Sequence, residues 1–273
     1  MLDTDTRSTP RLETAAFEEI CEITRSIAGI SMNDSKRELV RSRLGKRLRA
    51  LGLPDFESYV EHAKRDRSEL GKMIDALTTN KTSFFREARH FDVLREQVLL
   101  PARRSAASRL RGWSAACSSG EEPYTLAMLV REHAREIPDT RLLATDLSNR
   151  VLERAKKGHY PIESLESVPE ELRSRHFRRV PGEPDVMQVA PETRQLVRFA
   201  WLNLMEAWPL KGPFDFVFCR NVMIYFDKPV QEWLVQRFHG LLAPGGLLFI
   251  GLAESLTGLK HAYRFVEPGV YAR

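Results

Sequence analysis

Residues 111–130 read RGWSAACSSGEEPYTLAMLV and gather the residue types with most chemical consequence in this chain. An apolar run from Trp113 to Cys117 breaks at Ser118-Ser119-Gly120; Glu121, Glu122 and Pro123 then open an apolar pattern of helical period. A strand, a tight turn and a helix start, in that order, mark the edge where open α/β sheets bind ligands. Small residues let a ligand approach the backbone closely. The carboxylates of Glu121 and Glu122 repel a phosphate and attract an ammonium or a ribose hydroxyl. The turn therefore suits a nucleoside without phosphates, S-adenosylmethionine first among them. Glu121 is favoured for the ammonium, with Glu122 the alternative. A structural role also accounts for both, since acids in a first helical turn complement the helix dipole.

Three further groups belong to the same chemistry. Asp146 ends a second strand, where an acidic residue accepts hydrogen bonds from both ribose hydroxyls; capping of the next helix by Asp146 or Ser148 is the plainer role. Residues 214–226 read FDFVFCRNVMIYF, a buried strand whose end sets Arg220 and Asn221 at the ligand-binding edge. Tyr225 either reaches back over that crevice or packs as a core aromatic. Residues 79–87 read TNKTSFFRE, in which Asn80 and Thr82 are turn and cap types. Arg86, expected just inside the following helix, is placed to hold a carboxylate.

The elements that position these groups follow from pattern. The 273 residues allow one large or two modest domains, and a hydrophobic content of 42% is enough for a core. A net charge of +5 suits an acidic partner or simple solubility. The cysteines, Cys21, Cys117 and Cys219, are odd in number and far apart, which shows no disulfide framework and no metal spacing. Cys117 and Cys219 fall in expected strands as small core residues. A reducing, cytoplasmic setting fits. No apolar stretch is long enough for a bilayer span, and the N-terminus has no apolar signal core.

Residues 1–12 read as a disordered leader and residues 13–79 as an all-α domain. Phe17, Ile20, Ile23 and Ile27 recur at helical spacing up to Gly29. Polar caps at 31–34 start a second helix that runs to Leu51, with Val40, Leu44, Leu48 and Leu51 as its apolar stripe. Seven basic residues outnumber Asp34 and Glu38 on it, and Lys36, Arg43 and Lys46 share one face. That face is either simply solvated or a docking surface for an acidic helix or a nucleic acid. The absence of aromatic residues argues against stacking on single strands. Two shorter helices follow at 56–65 and 68–77.

A linker and connecting helix (80–110, helix 87–99 ended by Pro101) lead into strand–helix alternation from 111 to 273. Strands at 111–117, 141–145, 197–201, 214–219 and 247–252 alternate with helices at 121–136, 148–157 and 228–242, and Pro244-Gly245-Gly246 turns into the last strand. The order implies an α/β fold, a mostly parallel, doubly wound sheet. The proline-punctuated stretch 158–196 reads as an inserted subdomain with short β segments such as 186–189.

Taken together, TTNKTSFFRE, WSAACSSGEEPYTLAML, ATDLSNRVLERAKKGHY, VFCRNVMIYFD and LAPGGLLFIGLAESL resemble the CheR-type chemotaxis receptor methyltransferases, in order and over nearly the whole chain. The resemblance implies a Rossmann-like methyltransferase domain with a small antiparallel β-subdomain, preceded by an all-α domain. It implies transfer of methyl from S-adenosylmethionine to glutamates on chemoreceptor cytoplasmic helices, leaving S-adenosylhomocysteine, with no metal, nucleic acid or membrane insertion. It also implies roles: Asn80, Thr82 and Arg86 on the cofactor, Glu121 on its methionine part, Asp146 on the ribose, Asn203 and Leu204 on the adenine. Arg220 and Asn221 close the cofactor-binding site as its last two members, and Arg86 and Tyr225 stand near methyl transfer. In some members the β-subdomain docks a receptor's C-terminal pentapeptide, and the loop at 180–185 leaves that open here. Competing readings are a methyltransferase of RNA or a small molecule, and a non-catalytic regulator that only binds the cofactor.

Overall fold

A computed structural model describes residues 10–273. The chain divides into two compact units, one ending at Thr79 and the other running from Asn80 to Arg273. The first is helical: α1 (Thr14–Ala28), α2 (Arg37–Leu51), α3 (Phe56–Arg65) and α4 (Arg67–Leu77). Phe17 and Ile20, Val40 and Leu44, Phe56 and Val60, Met73 and Ile74 supply its buried apolar faces. Glu69, only 1% exposed, accepts both Arg47 Nε (2.9 Å) and Nη2 (2.6 Å) and the Tyr59 hydroxyl (3.2 Å), which ties α2, α3 and α4 through one charged group.

Several sequence expectations change in this unit. Residues 1–9 of the expected leader lie outside the described residues. Leu12 is no leader residue: it is buried, and its carbonyl accepts from Arg37 Nη1 (3.4 Å). Lys36 lies in a short 3-10 turn (Asp34–Lys36) ahead of α2. Leu51, the last residue of α2 before the left-handed Gly52, is 37% exposed and drops out of the stripe, while Gly45 is buried in it. Arg43 is not an open surface cation. Its guanidinium donates to the carbonyls of Leu77 (2.9 Å) and Thr78 (3.0 Å) and to Thr79 Oγ1 (3.2 Å). It thus satisfies acceptors that the end of α4 leaves without helical partners. Lys36 and Lys46 remain exposed.

The second unit begins with an irregular segment, then α5 (Arg89–Leu94) and α6 (Leu100–Arg104). Pro101 does not end this helical stretch as expected. Residues Arg95–Leu99 widen into a π turn, with Leu100 N–H donating to the Arg95 carbonyl, and the helix continues past the proline. Such a turn accommodates a residue that lacks an N–H. Then come β1 (Arg109–Ala115), α7 (Glu121–His133), β2 (Asp139–Asp146), α8 (Asn149–Lys157), β3 (His159–Pro161), α9 (Glu170–His176), β4 (Phe177–Val180), β5 (Glu183–Val189), α10 (Pro191–Arg194), β6 (Val197–Trp201), β7 (Phe214–Phe218), α11 (Lys228–Leu241), β8 (Leu242–Phe249), β9 (Arg264–Glu267) and β10 (Val270–Ala272).

The main sheet has the order β6-β2-β1-β7-β8-β10-β9. The five strands from β6 to β8 are parallel, and β10 and β9 extend the sheet antiparallel. From β1 the chain winds outward to β2 and β6, then returns to β7 on the other side. That reversal makes the β1–β7 junction a topological switch point with a crevice at the strands' carboxyl ends. The insert is a separate three-stranded antiparallel sheet, β3-β5-β4. Its β4–β5 hairpin turns at Pro181-Gly182.

Continuous apolar strands fit a sheet covered on both faces. Phe216, Phe218 and Phe249 are fully buried, and Phe218 stacks on Phe249 at 4.1 Å between ring centroids. Trp113 is buried among Trp208, Phe214 and Phe238, and its ring N–H donates to Thr145 Oγ1 (2.9 Å). Pro244-Gly245-Gly246 does not precede the last parallel strand but lies inside β8. The register against β7 passes from Phe214↔Leu242 to Phe216↔Leu247, so these residues form a bulge that absorbs the proline's missing donor. Helix α7 stops at His133, short of the expected 136. Cys117 and Cys219 lie just past β1 and β7 and not within them, though their N–H groups still donate to Thr145 (2.9 Å) and Phe249 (2.8 Å) carbonyls. Both are buried.

Candidate active site

The turn after β1 holds three left-handed residues, Ala116 (φ 63°), Ser118 (φ 49°) and Gly120 (φ 98°). A side chain at Gly120 would also meet the Tyr160 hydroxyl at 2.7 Å and Ala155 Cβ at 2.9 Å, so this position needs glycine twice over. The Tyr160 hydroxyl donates to the Ser119 carbonyl (2.7 Å), which fastens β3 to the turn. Ser118 Oγ donates to the Asn80 carbonyl (3.0 Å). Ser118 N–H donates to Asp146 Oδ2 (2.8 Å), and Ser148 N–H to Asp146 Oδ1 (2.9 Å). The cap of α8 is Ser148, whose Oγ accepts from Val151 N–H (3.3 Å). Asp146 is buried at the sheet's carboxyl edge, its carboxylate aimed by two backbone donors.

Glu121 and Glu122 face different surroundings. Glu122 accepts from Ser114 Oγ (2.7 Å) and pairs with Arg220 Nη1 (3.2 Å). Glu121 is buried, and its two oxygens accept from the Ser119 hydroxyl (3.0 and 2.7 Å). Among the described residues it makes no ion pair. Burial pushes the Glu121 carboxyl above its ordinary value against the pull of Ser119, and burial likewise raises Glu122 against the pull of Arg220. Glu122 already has a guanidinium; the charge of Glu121 is the one a ligand ammonium would complete.

This assigns a pH dependence. An ammonium pairs with the ionised carboxylate, so affinity for S-adenosylmethionine is expected to fall as pH drops through a value above 4.5, with a proton released on binding. The sign is opposite for the ligand-free protein. A carboxyl raised by folding stabilises most below its unfolded pKa, and that contribution disappears as pH rises through the folded one. Calorimetry in buffers of different ionisation heat measures the proton release. Glu121→Gln should abolish it, and Glu122→Gln should leave it.

Arg220 follows the end of β7, the strand edge where its position in sequence placed it, and is enclosed there. Its side chain is 2% exposed, between Glu122 and Glu87 (Nη2 to Oε2, 3.0 Å), and it donates to the Arg86 carbonyl. Phe91 lies under it, 5.3 Å from the guanidinium carbon to the ring centroid. Among the described residues its Nε has no partner. Burial opposes the ionisation of Glu87, but Arg220 and Asn221 outweigh it and hold the carboxyl below its ordinary value. Asn221 is left-handed (φ 58°), and its Nδ2 donates to Glu87 Oε1 (3.2 Å). Tyr225 closes the short helical turn Met223–Tyr225 and is half-buried.

Arg86 is not inside a helix. The chain between Asn80 and Arg89 is irregular, with Phe85 (φ 53°) and Glu87 (φ 59°) left-handed, and α5 starts only at Arg89. The half-buried Arg86 guanidinium donates to the Lys81 carbonyl (2.9 Å), and Thr82 lies half-buried in the same segment. Asn203 and Leu204, after β6, are buried. Asn203 Oδ1 accepts from Met205 N–H (3.0 Å), its Nδ2 donates to Glu206 (3.1 Å), and Leu202 N–H donates to the Asp146 carbonyl (3.1 Å). One edge of the sheet thus gathers the ends of β1, β2, β6 and β7. Sequence reasoning missed Glu87, Tyr160 and Glu254. For Glu254 the signal was present: an acid shortly after a buried strand at the ligand edge, the rule that picked out Asp146.

The reversal of strand order and an acidic, phosphate-repelling edge with buried carboxylates that make no ion pair among the described residues suit a class, the Rossmann-like methyltransferases that use S-adenosylmethionine. Residues 80–271 match the CheR methyltransferase SAM-binding domain, and residues 15–78 the CheR all-alpha domain. The chain is 42% identical over 260 residues to chemotaxis protein methyltransferase 2 of Pseudomonas aeruginosa, covering 94% of this chain and 92% of that one. It is 41% identical over 266 residues to the chemotaxis protein methyltransferase of Salmonella typhimurium, covering 96% and 91%. The chain belongs to the CheR chemotaxis methyltransferase family. Among the described residues no helix is long and apolar enough to cross a membrane.

Proposed function

We propose that this protein methylates glutamate side chains on the cytoplasmic helices of chemoreceptors, forming methyl esters and S-adenosylhomocysteine in the cytoplasm. One observation carries the reading: an acidic sheet edge on a chain 41–42% identical to chemotaxis protein methyltransferases over nearly its whole length. S-adenosylmethionine, when bound, supplies a methyl group activated by a positively charged sulfur. Glu121 pairs with the ammonium, Asp146 receives the ribose hydroxyls, and Asn203 and Leu204 border the adenine. Asn80, Thr82 and Arg86 approach from the segment before α5, and Arg220 and Asn221 close the edge at the end of β7.

The acceptor glutamate is ionised at neutral pH, so the chain needs no general base, and none of its seven histidines is assigned one. What it must supply is alignment and dryness, because opposite charges cancel as reaction proceeds and water would favour the separated charges. Arg86 orients the incoming carboxylate and Tyr225 borders the transferred group. Incubation with tritiated cofactor and receptor-containing membranes tests this. Label released as methanol in mild base is expected; alkali-stable label on RNA, or binding without turnover, overturns it.

Lys36 and Lys46 are the exposed cations of the basic face, whereas Arg43 is committed to α4. Opposite charge speeds encounter with a glutamate-bearing helix. Lys36→Glu with Lys46→Glu is expected to lower receptor methylation by about three- to tenfold at low ionic strength, and progressively less as salt screens the field. An effect independent of salt would remove the docking role.

A further inference from the structure

We propose that Glu254 is a positioning residue for methyl transfer, its carboxylate fixing the turn from Asn221 to Tyr225 at the sheet's carboxyl edge. The inference rests on the reading of Tyr225 and Asn221 as groups beside the reaction. Glu254 is 9% exposed. Its Oε2 accepts from Asn221 N–H (2.9 Å) and Gly251 N–H (2.5 Å), and its Oε1 accepts from Ile224 N–H (3.1 Å). Its own N–H donates to the Gly251 carbonyl (2.9 Å), which closes the loop that carries it. Among the described residues no cation lies within ion-pairing distance, so three peptide donors answer the charge.

Those donors come from two segments that leave neighbouring strands. Asn221 and Ile224 follow β7, and Gly251 follows β8. One carboxylate therefore joins the two strand ends on either side of it. The junction is tight: a side chain at Gly251 would fall 2.4 Å from Asn221 Nδ2 and 2.9 Å from Asn221 N. Glu87 grips the Asn221 side chain (3.2 Å) and the Leu252 N–H (3.2 Å). Held by Glu254 at Asn221 and Ile224, the turn delivers Tyr225 from a backbone with little freedom, and Asn221 keeps its left-handed conformation. Charge-assisted bonds to backbone N–H groups are among the stronger neutral-pH contacts a side chain makes.

Glutamate is the residue this geometry requires. Gln offers one accepting oxygen and turns an NH2 group toward backbone donors, so at least one of the three bonds is lost. Asp is shorter by one methylene. Of Asn221, Glu254 bonds only the backbone N–H, while Glu87 holds the side chain, and Glu254 touches no residue assigned to the methionine, ribose or adenine parts, so its loss should act on alignment far more than on cofactor binding.

The test compares the full chain with Glu254→Gln and Glu254→Asp, first establishing that the parent transfers base-labile methyl to receptor; failure there defeats the functional reading itself. Nitrogen–proton spectra of the S-adenosylhomocysteine complex should show the Asn221, Ile224 and Gly251 amides moving upfield in Glu254→Gln. Turnover should fall about 100-fold, as expected for sub-ångström to ångström misplacement, with S-adenosylhomocysteine affinity kept within about threefold. Shifted amides with turnover within twofold of the parent would overturn the proposal. So would turnover and product affinity falling in proportion, or loss of the fold in both variants, because Glu254 would then be structural only.

Discussion

Asp146→Ala is expected to weaken S-adenosylhomocysteine binding by about 100- to 1000-fold, since two hydrogen bonds to a charged acceptor contribute about 3–4 kcal/mol together. The side chain's position is set before any ligand arrives: Ser118 N–H and Ser148 N–H donate to one oxygen each and aim the carboxylate at the sheet's edge, where the proposed ribose would meet it. Asp146→Asn keeps the shape but only one accepting oxygen, and should fall between the two. Calorimetric titration measures the effect. Ser148→Ala serves as the control, since it removes the helix cap and leaves the carboxylate. An Asp146→Ala protein that is folded and binds within fivefold of the parent would take the ribose role from this residue.

The other large effect is on stability. Arg220→Met should cost about 3–5 kcal/mol in urea unfolding, because removing one partner of a buried ion pair strands the others. Here two carboxylates are stranded, Glu87 and Glu122, along with the Arg86 carbonyl. Glu122→Gln in the same chain should recover part of the loss, and a double-mutant cycle separates that coupling from the cost of truncation. The pH dependence has a definite sign. Arg220 and Asn221 hold the folded Glu87 carboxyl below its ordinary 4.5, so its contribution is present above that value and is lost as pH falls through the folded pKa. In Arg220→Met that acid-side loss should flatten. A variant as stable as the parent would mean that Arg220 serves the ligand and not the fold.

How far these features were legible depends on how local their causes are. Buried parallel strands announce themselves as apolar runs, and Ser118-Ser119-Gly120 followed by two acids announces a turn onto a helix, so the sheet's carboxyl edge and the place of Asp146 on it could be read directly. The cage around Arg220 could not: Glu122 lies 98 residues away and Glu87 lies 133, and no spacing rule reaches so far. Phe85 and Glu87 take left-handed conformations that neither residue type advertises, so the segment bearing Arg86 read as helix. Pro244-Gly245-Gly246 looks like a turn because proline and glycine usually make one; here a bulge lets a strand carry them. The strands β9 and β10 escaped notice because they are short and lack a sustained alternation.

Cys117 and Cys219 sit next to residues proposed here to hold an alkylating nucleoside, which would be a hazardous address for sulfur. Burial drives both thiols well above their ordinary 9.0, and the neighbouring carboxylates of Asp146 and Glu122 for Cys117, and of Glu254 and Glu122 for Cys219, push the same way. The reactive form of cysteine is the thiolate, and here it is suppressed. Burial first, and then the same acids that shape the edge, thus disfavour a thiolate in their midst.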